Sequence, residues 1–171
     1  MQKENPQRRE GKQILVFNVA NDELGLDISC VREVLRPQEI YPLPKAPDFI
    51  EGVINLRGHI VALIDLRKRL FHPHPFPPPS EGEGEGGGAR GKRIIICKVN
   101  HVIVGLTVDS LKEVMALSEE NIRPMPEVVA MQMEADVTAG LARIGERIIP
   151  ILDLTRLITK KEAAELSGLG R

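Results

Sequence analysis

Short apolar stretches separated by turn-forming residues recur along the chain, and their spacing predicts β-strands. Residues 14–19 form an apolar run of strand length, and residues 24–28 alternate between apolar and polar positions. The segment between them, Ala-Asn-Asp-Glu, is typical of a turn. Alternation with a period of two indicates a strand with one buried face. The two stretches therefore predict a β-hairpin near the start of the chain.

A second hairpin is predicted over residues 52–66. Two apolar stretches meet there at Arg57-Gly58, and glycine adopts the positive φ that a tight hairpin turn needs. Asp65 then precedes Leu66 and a basic stretch, where its carboxylate is expected to cap a short helical turn.

The order of these elements returns in the second half of the chain. Strand runs are predicted at residues 94–99 and 104–108, a hairpin turn at Gly145-Glu146, and a second capped helical turn at Asp153. Three blocks of the first half match blocks of the second half in the same order: 25–34 over 105–114, 40–44 over 122–126, and 60–66 over 148–154. Such a repeat indicates two structurally related halves.

Each half has about five short strands punctuated by Gly and Pro, a pattern typical of a small closed barrel. The prediction is an all-β fold of two five-stranded barrels with short helices. A half of about 60 residues buries too little surface to be stable alone, so the barrels should pack together and leave a groove between them. The predicted divisions are a disordered tail at 1–12, a first barrel at 13–70, a linker at 71–92, a second barrel at 93–158, and a helical or disordered tail at 159–171.

The predicted linker is rich in proline and then in glycine and glutamate, a composition that favours extended or unordered chain. His72 and His74 lie in it, but no third candidate ligand is near them in the sequence, so we expect no metal site there.

Composition narrows the possible functions. Hydrophobic residues make up 42% and charged residues 27%, and the formal net charge is −1, so no overall field attracts nucleic acid or an anionic membrane. The apolar runs are far shorter than the roughly 20 residues that a membrane-spanning helix needs. The charged N-terminus lacks the apolar core of a secretory signal.

Cys30 and Cys97 lie in apolar stretches without a C-x-x-C spacing, and we expect them to be buried thiols in a cytoplasmic protein.

Two alternative functions remain to be compared with a binding role. The repeat duplicates Asp65 and Asp153, and paired aspartates can activate water, but aspartic proteases carry the residue in an Asp-Thr/Ser-Gly loop and both aspartates here precede Leu. A nucleic-acid-binding barrel would need a basic face with aromatic residues, and the chain offers one short cluster at residues 67–69 beside Phe71. Phosphate-binding, serine-hydrolase and zinc-protease motifs are absent from the sequence. We therefore expect no catalytic residues and no cofactor.

Four stretches resemble the CheW-like domain family. They are Gly-Val-Ile-Asn-Leu-Arg-Gly at 52–58, Ile-Val-x-x-Ile-Asp-Leu at 60–66, Val-Arg-Glu-Val at 31–34, and a Pro-Leu-Pro-x-x-Pro turn at 42–47. The resemblance covers residues 13–158 and implies a single domain of two SH3-like barrels. It also implies a non-enzymatic adaptor, because the chain has no room for the kinase, phosphotransfer or receiver segments that accompany this domain in larger proteins. The linker is longer than is usual in the family.

The resemblance also implies two partners and a set of contact residues. The hairpin tip of a chemoreceptor would pack in the groove between the barrels, and the CheW-like regulatory domain of a CheA-type histidine kinase would bind through barrel ends, by residues that the sequence does not identify. The protein would then be recruited to receptor arrays at the inner face of the membrane. The residues implied for the receptor contact are Leu15, Ile28, Val31, Glu33, Val34, Asn55, Leu56, Arg57, Gly58 and Leu111. For Ile28 and Val34, ordinary core packing is the alternative; for Arg57, a solvated surface charge is.

Overall fold

The computed structural model describes residues 11–70, 91–124 and 137–167, which contain eleven β-strands and three short α-helices. The strands are β1 (Gly11–Val19), β2 (Asp22–Asp27), β3 (Val31–Leu35), β4 (Ile50–Leu56), β5 (His59–Asp65), β6 (Arg93–Val99), β7 (Val102–Val108), β8 (Ser110–Ser118), β9 (Ile122–Arg123), β10 (Thr138–Ile144) and β11 (Arg147–Leu152). The helices are α1 (Leu66–Leu70), α2 (Leu154–Leu157) and α3 (Lys160–Ser167). The all-β prediction is confirmed.

The strands form two sheets. One has the order β8-β1-β2-β11-β10-β9, and we call it the β1 barrel. The other has the order β3-β6-β7-β5-β4, and we call it the β6 barrel. Each contains one parallel contact, β2 with β11 and β5 with β7, and its other pairs are antiparallel.

Both barrels are built from both halves of the chain, which corrects the predicted division into 13–70 and 93–158. The β1 barrel combines the first hairpin, β1-β2, with β8 to β11 from the second half. The β6 barrel combines β3, β4 and β5 with the hairpin β6-β7. The prediction was wrong because the repeat reveals which segments are equivalent but not which copy each segment pairs with.

Short connections bring the edges of each sheet together. β8 and β9 lie at opposite edges of the β1 barrel, yet only the 3₁₀ turn Glu119–Asn121 separates them in the chain. In the β6 barrel, Tyr41 follows edge strand β3 and pairs with Val53 on the other edge strand, β4, through two N–H···O bonds of 2.8 Å. Each sheet must therefore curl round on itself, as a small barrel does.

Two equivalent glycines make these closures possible. A Cβ on Gly52 would lie 2.5 Å from the carbonyl oxygen of Tyr41, and one on Gly140 would lie 2.7 Å from that of Arg123. Both glycines also lie at irregularities in strand register, β4 with β5 and β10 with β11. Backbone that approaches another strand this closely leaves no room for a side chain.

The hydrophobic core has three parts. Successive residues of β1 and of β6 point to opposite faces, and the two faces belong to different parts. Ile14 and Val16 pack inside the β1 barrel, while Leu15, Phe17 and Val19 pack in a core between the barrels. In β6, Ile94 and Ile96 fill the β6 barrel, and Ile95, Cys97 and Val99 join the core between the barrels. Both strands are buried on both faces, which explains why they read as continuous apolar runs rather than as alternating ones.

The helices cover the core between the barrels. Leu66, Leu70, Leu154 and Leu157 are all buried there, and so is Ala163 on α3. The predicted caps are confirmed, since Asp65 accepts a 3.2 Å bond from the Lys68 N–H and Asp153 a 3.0 Å bond from the Thr155 N–H.

The structure describes only part of each predicted tail and of the predicted linker. β1 begins at Gly11, two positions before the predicted domain start at 13, and α3 occupies Lys160–Ser167 of the predicted C-terminal tail. Residues 1–10, 71–90 and 168–171 lie outside the described ranges, and so do His72 and His74.

Candidate partner-binding site

Two of the predicted contact residues form an ion pair. Arg57 lies in the β4-β5 turn and Glu33 on β3, and Arg57 Nη2 donates to Glu33 Oε2 at 2.6 Å. The Arg57 side chain is 73% exposed and that of Glu33 is 27% exposed. The pair uses a single guanidinium nitrogen, and a guanidinium carries five N–H donors. Most of the Arg57 head therefore faces solvent in a position that Glu33 restrains.

The turn that carries Arg57 has a left-handed backbone at both of its central residues. Arg57 and Gly58 have φ of 51° and 86°, the pair of positive values that a type I′ hairpin turn requires. Asn55 Oδ1 accepts a 2.9 Å hydrogen bond from the Gly58 N–H and so closes the turn. Glycine adopts this conformation without cost, whereas an L-residue such as arginine is held there against a penalty of about 1 kcal/mol.

An apolar rim extends the core between the barrels to the surface. On β3, Val31 lies opposite Cys97 and Val34 opposite Ile95; on β8, Leu111 lies opposite Phe17. Facing residues of antiparallel strands share a side of the sheet, so these side chains point to the same side as the core between the barrels. Ile28 and Val31 pack partly buried against that core, as does Leu111, while Val34 is 38% exposed.

The contact residues implied by the family resemblance do not include Val114, which also belongs to this rim. Val114, on β8, lies opposite Leu15 of β1, and it is 54% exposed, more than Val34. The repeat contained the signal for it, because the match of 25–34 with 105–114 aligns Val114 with Val34. Val34 and Val114 are thus equivalent exposed valines on the edge strands of the two barrels.

Two predicted contact residues lie deeper than a surface groove. Leu15 is only 5% exposed and belongs to the core between the barrels. Leu56 is half-buried and packs against the interior of the β6 barrel. In this structure they support the rim and the Arg57 turn from beneath.

The β1 barrel carries a counterpart of the Arg57–Glu33 pair that sequence reasoning also missed. Arg147, beside the β10-β11 turn, contacts Glu113 at 2.8 Å and Glu23 at 3.1 Å, and Lys112 contacts Glu23 as well. The hydrogen bond from Lys112, with help from Arg147, holds the pKa of Glu23 below its usual value, and Glu113 and Glu23 raise that of Arg147. Glu113 aligns with Glu33 in the repeat, so each barrel pairs a hairpin arginine with the equivalent glutamate of its edge strand.

The two cysteines differ in burial. Cys97 is buried in the core between the barrels, and desolvation raises its pKa to about 12. Cys30 is half-buried beside that core, and burial raises its pKa too. The predicted burial is complete for Cys97 and partial for Cys30, and both are free thiols.

The residues considered for other functions make internal contacts. Asp65 and Asp153 both cap helical turns. In the basic cluster, Arg67 pairs with Asp109, and Arg69 binds the Leu157 carbonyl. Among the described residues, no group of three or more His, Cys, Asp or Glu side chains is placed to hold a metal ion. Within the same ranges, no helix is long and apolar enough to cross a membrane.

Comparison with known proteins identifies the family. The model of the CheW-like domain matches residues 13–162. The chain belongs to the CheW-like domain family.

Relatives that match over most of their length, and a solved structure, agree with this assignment. The chemotaxis protein CheW of Klebsiella aerogenes is 31% identical, over 94% of this chain and 90% of its own length. CheW of Treponema pallidum is also 31% identical, over 92% and 88%. The crystal structure of the scaffolding protein TtCheW from Thermoanaerobacter tengcongensis is similar with a TM-score of 0.75 and 34% identity, covering 94% of this chain and 96% of that one.

These matches confirm two predictions. The fold is that of two packed SH3-like β subdomains, and the role is that of a chemotaxis adaptor or scaffold of the CheW family. Nucleic-acid binding and an aspartate-dyad hydrolase are not favoured.

Proposed function

We propose that this CheW-family chain couples a chemoreceptor to a CheA-type histidine kinase by binding both, without catalysis of its own. The receptor's helical hairpin tip would contact the apolar rim and the Arg57 turn, and the kinase's CheW-like regulatory domain would bind elsewhere on the barrels. The protein would act in the cytoplasm, at receptor arrays on the inner face of the membrane.

The Arg57 turn is the observation that supports this proposal most. An exposed surface ion pair contributes only about 0.2–1 kcal/mol to stability, so Arg57–Glu33 is not explained by folding. The left-handed backbone of Arg57 offers no local advantage either, since glycine would be the better residue there. Strained residues held by surrounding structure are common at binding sites, and an arginine fork suits carboxylates or carbonyls at a helical tip.

The apolar rim supplies the other half of such a contact. Val31, Val34 and Leu111 offer β-branched and aliphatic surface next to the charged pair, and Val114 adds to it. A helical segment that lays apolar side chains into a groove is a common way for a binding domain to recognise a partner. The surface therefore combines an apolar centre with a polar anchor, as protein interfaces do.

The test is reconstituted kinase activity. Receptor-bearing membranes and a CheA-type kinase are mixed with and without this protein, and phosphate transfer is followed. We expect a large increase that requires all three components. Arg57→Ala should weaken receptor binding about tenfold, the effect of removing an interface arginine that contributes about 1.4 kcal/mol, and Val31→Asp should abolish coupling.

Arg143→Ala is the matched control, because Arg143 is an exposed arginine on β10 far in sequence from the Arg57 turn. The control should couple normally, and all variants should unfold cooperatively on heating. An unchanged response of a folded Arg57→Ala protein would refute the assigned receptor contact. Absence of any stimulation by the wild-type protein would refute the coupling role for those partners.

A further inference from the structure

Arg69 makes a set of contacts that the proposed binding surface does not use. It lies on α1, directly after β5 of the β6 barrel, and its side chain is only 17% exposed. Its Nε donates to the Leu157 carbonyl oxygen at 2.9 Å, and its Nη2 contacts Glu162 Oε2 at 3.4 Å. The guanidinium also lies over the Phe49 ring, 4.5 Å from the centroid.

The bond to Leu157 joins the two barrels, whereas the Phe49 contact lies within the β6 barrel. Leu157 ends α2, which follows β11 of the β1 barrel, and Phe49 directly precedes β4 of the β6 barrel. The repeat aligns 60–66 with 148–154, and the same offset places Arg69 over Leu157. The hydrogen bond thus connects equivalent positions of the two repeats. In a pair of units related by rotation, equivalent positions meet at the rotation axis, so the Arg69–Leu157 contact lies at the axis that relates the two repeats.

Glu162 adds a third element, α3. Its carboxylate accepts a 2.8 Å bond from the Thr159 N–H, and Thr159 Oγ1 accepts a 3.1 Å bond from the Glu162 N–H. This reciprocal arrangement is a capping box, and it orients the Glu162 side chain toward Arg69. α3 follows the β1 barrel in sequence but contacts β7 of the β6 barrel, with Ala163 buried in the core between them. The helix therefore spans from one barrel to the other, and Arg69 holds its start.

The chemistry requires arginine. Only a planar guanidinium can donate in two directions to a carbonyl and a carboxylate while its face stacks on a phenyl ring. A lysine could keep the attraction to Glu162 but not the directed bond to Leu157 together with the stacking. Its neighbour Arg67 differs in burial, since its side chain is 58% exposed and its 3.1 Å ion pair with Asp109 lies in solvent, where such pairs contribute little.

We propose that Arg69 is a positioning residue that sets the angle between the two barrels, and thereby the relative orientation of the receptor and kinase contacts. The inference rests on the proposed coupling function. It assigns to Arg69 no contact with either partner. Its loss should leave each binary interaction intact and impair only the step that needs both partners in one geometry.

The test compares Arg69→Met with Arg67→Met, the same change two positions earlier on α1. Binding of a receptor cytoplasmic fragment and of a CheA-type kinase is measured separately, and stimulation is measured with both, at a temperature well below unfolding. For Arg69→Met we expect each binary affinity to stay within about twofold of wild type, while stimulation falls about fivefold or more. Arg69→Lys should be intermediate, and Arg67→Met should behave as wild type.

A distance measurement gives a readout independent of activity. Spin labels at the exposed positions Lys98 on β6 and Arg143 on β10, in a Cys30→Ser background, report the separation of the barrels. Arg69→Met should broaden or shift the distance distribution, and Arg67→Met should not. Glu162→Gln keeps an acceptor for the helix cap and should give a smaller shift of the same kind, which carries the test if Arg69→Met does not fold.

The outcomes separate the two proposals. If wild-type protein stimulates the kinase and folded Arg69→Met stimulates it equally, with an unchanged distance distribution, the positioning role is wrong and the coupling role stands. If Arg69→Met loses a binary interaction instead, the residue is a contact or a folding residue, and the positioning role is again wrong. If the wild-type protein does not stimulate, the coupling role fails whatever the distances show.

Discussion

Asn55 acts on the proposed contact surface through the backbone of the turn that carries Arg57. Its amide oxygen accepts the Gly58 N–H and so keeps the next residue but one, Arg57, in a left-handed conformation. The four residues of the Asn-Leu-Arg-Gly motif thus have different structural roles, which the sequence did not reveal. Asn55 closes the turn, Leu56 packs beneath it, Gly58 supplies positive φ, and Arg57 projects the charge.

Asn55→Ala should therefore weaken receptor coupling as strongly as a change at Arg57, although alanine removes no exposed charge. The released turn would let Arg57 leave its position beside Glu33. Asn55→Asp keeps an acceptor oxygen for the Gly58 N–H and should restore most of the coupling. Receptor-dependent kinase stimulation measures both, and equal loss in the two variants would indicate that Asn55 contacts the partner through its amide group.

Glu23 gives a pH dependence that belongs to the same scale. Lys112 and Arg147 lower its pKa in the folded state, so the ionised form is favoured more in the folded protein than in the unfolded chain. The stability that Glu23 contributes is complete above its unfolded pKa of about 4.3 and is lost as pH falls through the lower folded value. Glu23→Gln should therefore lower Tm at pH 7, and the difference from wild type should disappear toward pH 3.

Melting curves between pH 7 and pH 3 measure this effect. Glu120→Gln is a suitable control, because Glu120 is exposed in the 3₁₀ turn after β8. A difference between wild type and Glu23→Gln that persists unchanged at pH 3 would mean that the glutamine disturbs packing rather than removing a charge interaction.

At the scale of elements, each hairpin pairs with strands of the other repeat. β1-β2 is completed by β8 and β11, and β6-β7 by β3 and β5. The equivalent irregularities support this symmetry, since the β3-β6 register shifts between Val31 and Glu33 and the β1-β8 register shifts at the matching place on β8. The exchange means that neither half contains a complete barrel.

Two pieces cut within the 71–92 linker should therefore be unfolded alone and should fold when mixed. Residues 1–80 lack the partner strands of β1-β2, and residues 81–171 lack those of β6-β7. Incomplete sheets with open edges are not stable in water at this size. Circular dichroism and amide chemical-shift dispersion of each piece and of the mixture measure this, and a piece that folds by itself would contradict the exchanged strand order.

On the scale of the whole molecule, the largest core lies between the barrels rather than inside either one. It includes Phe17 and Leu24 from the β1 barrel, Leu106 and Val108 from the β6 barrel, and Leu157 from α2. A core shared in this way makes the stability of one barrel depend on the other. Under the proposed coupling function, such a shared core would hold the receptor and kinase contacts in one geometry.

Phe17→Ala should destabilise both barrels together. Phe17 is fully buried in the shared core, and truncation of such a side chain costs about 3–5 kcal/mol. Hydrogen exchange or backbone amide signals of β3 and β10 should report the same reduced midpoint of unfolding. Ile54→Ala, inside the β6 barrel, should lower the free energy of unfolding by about 2–5 kcal/mol. It should also lower the midpoints reported by β3 and by β10. Separate transitions for the two barrels in either variant would show that the shared core does not couple them.

The sequence by itself determined most of the strands, the capped helical turns, the repeat and the CheW-like signature, because strand periodicity, Asp caps and turn glycines are local properties. Only the tertiary structure decided which copy of each strand completes which barrel. It also showed that Leu15 is core while Val114 is exposed, and that Arg57 meets Glu33 and Arg69 meets Leu157. These are contacts between residues distant in the chain, and a period of two says which residues share a face but not what lies against that face.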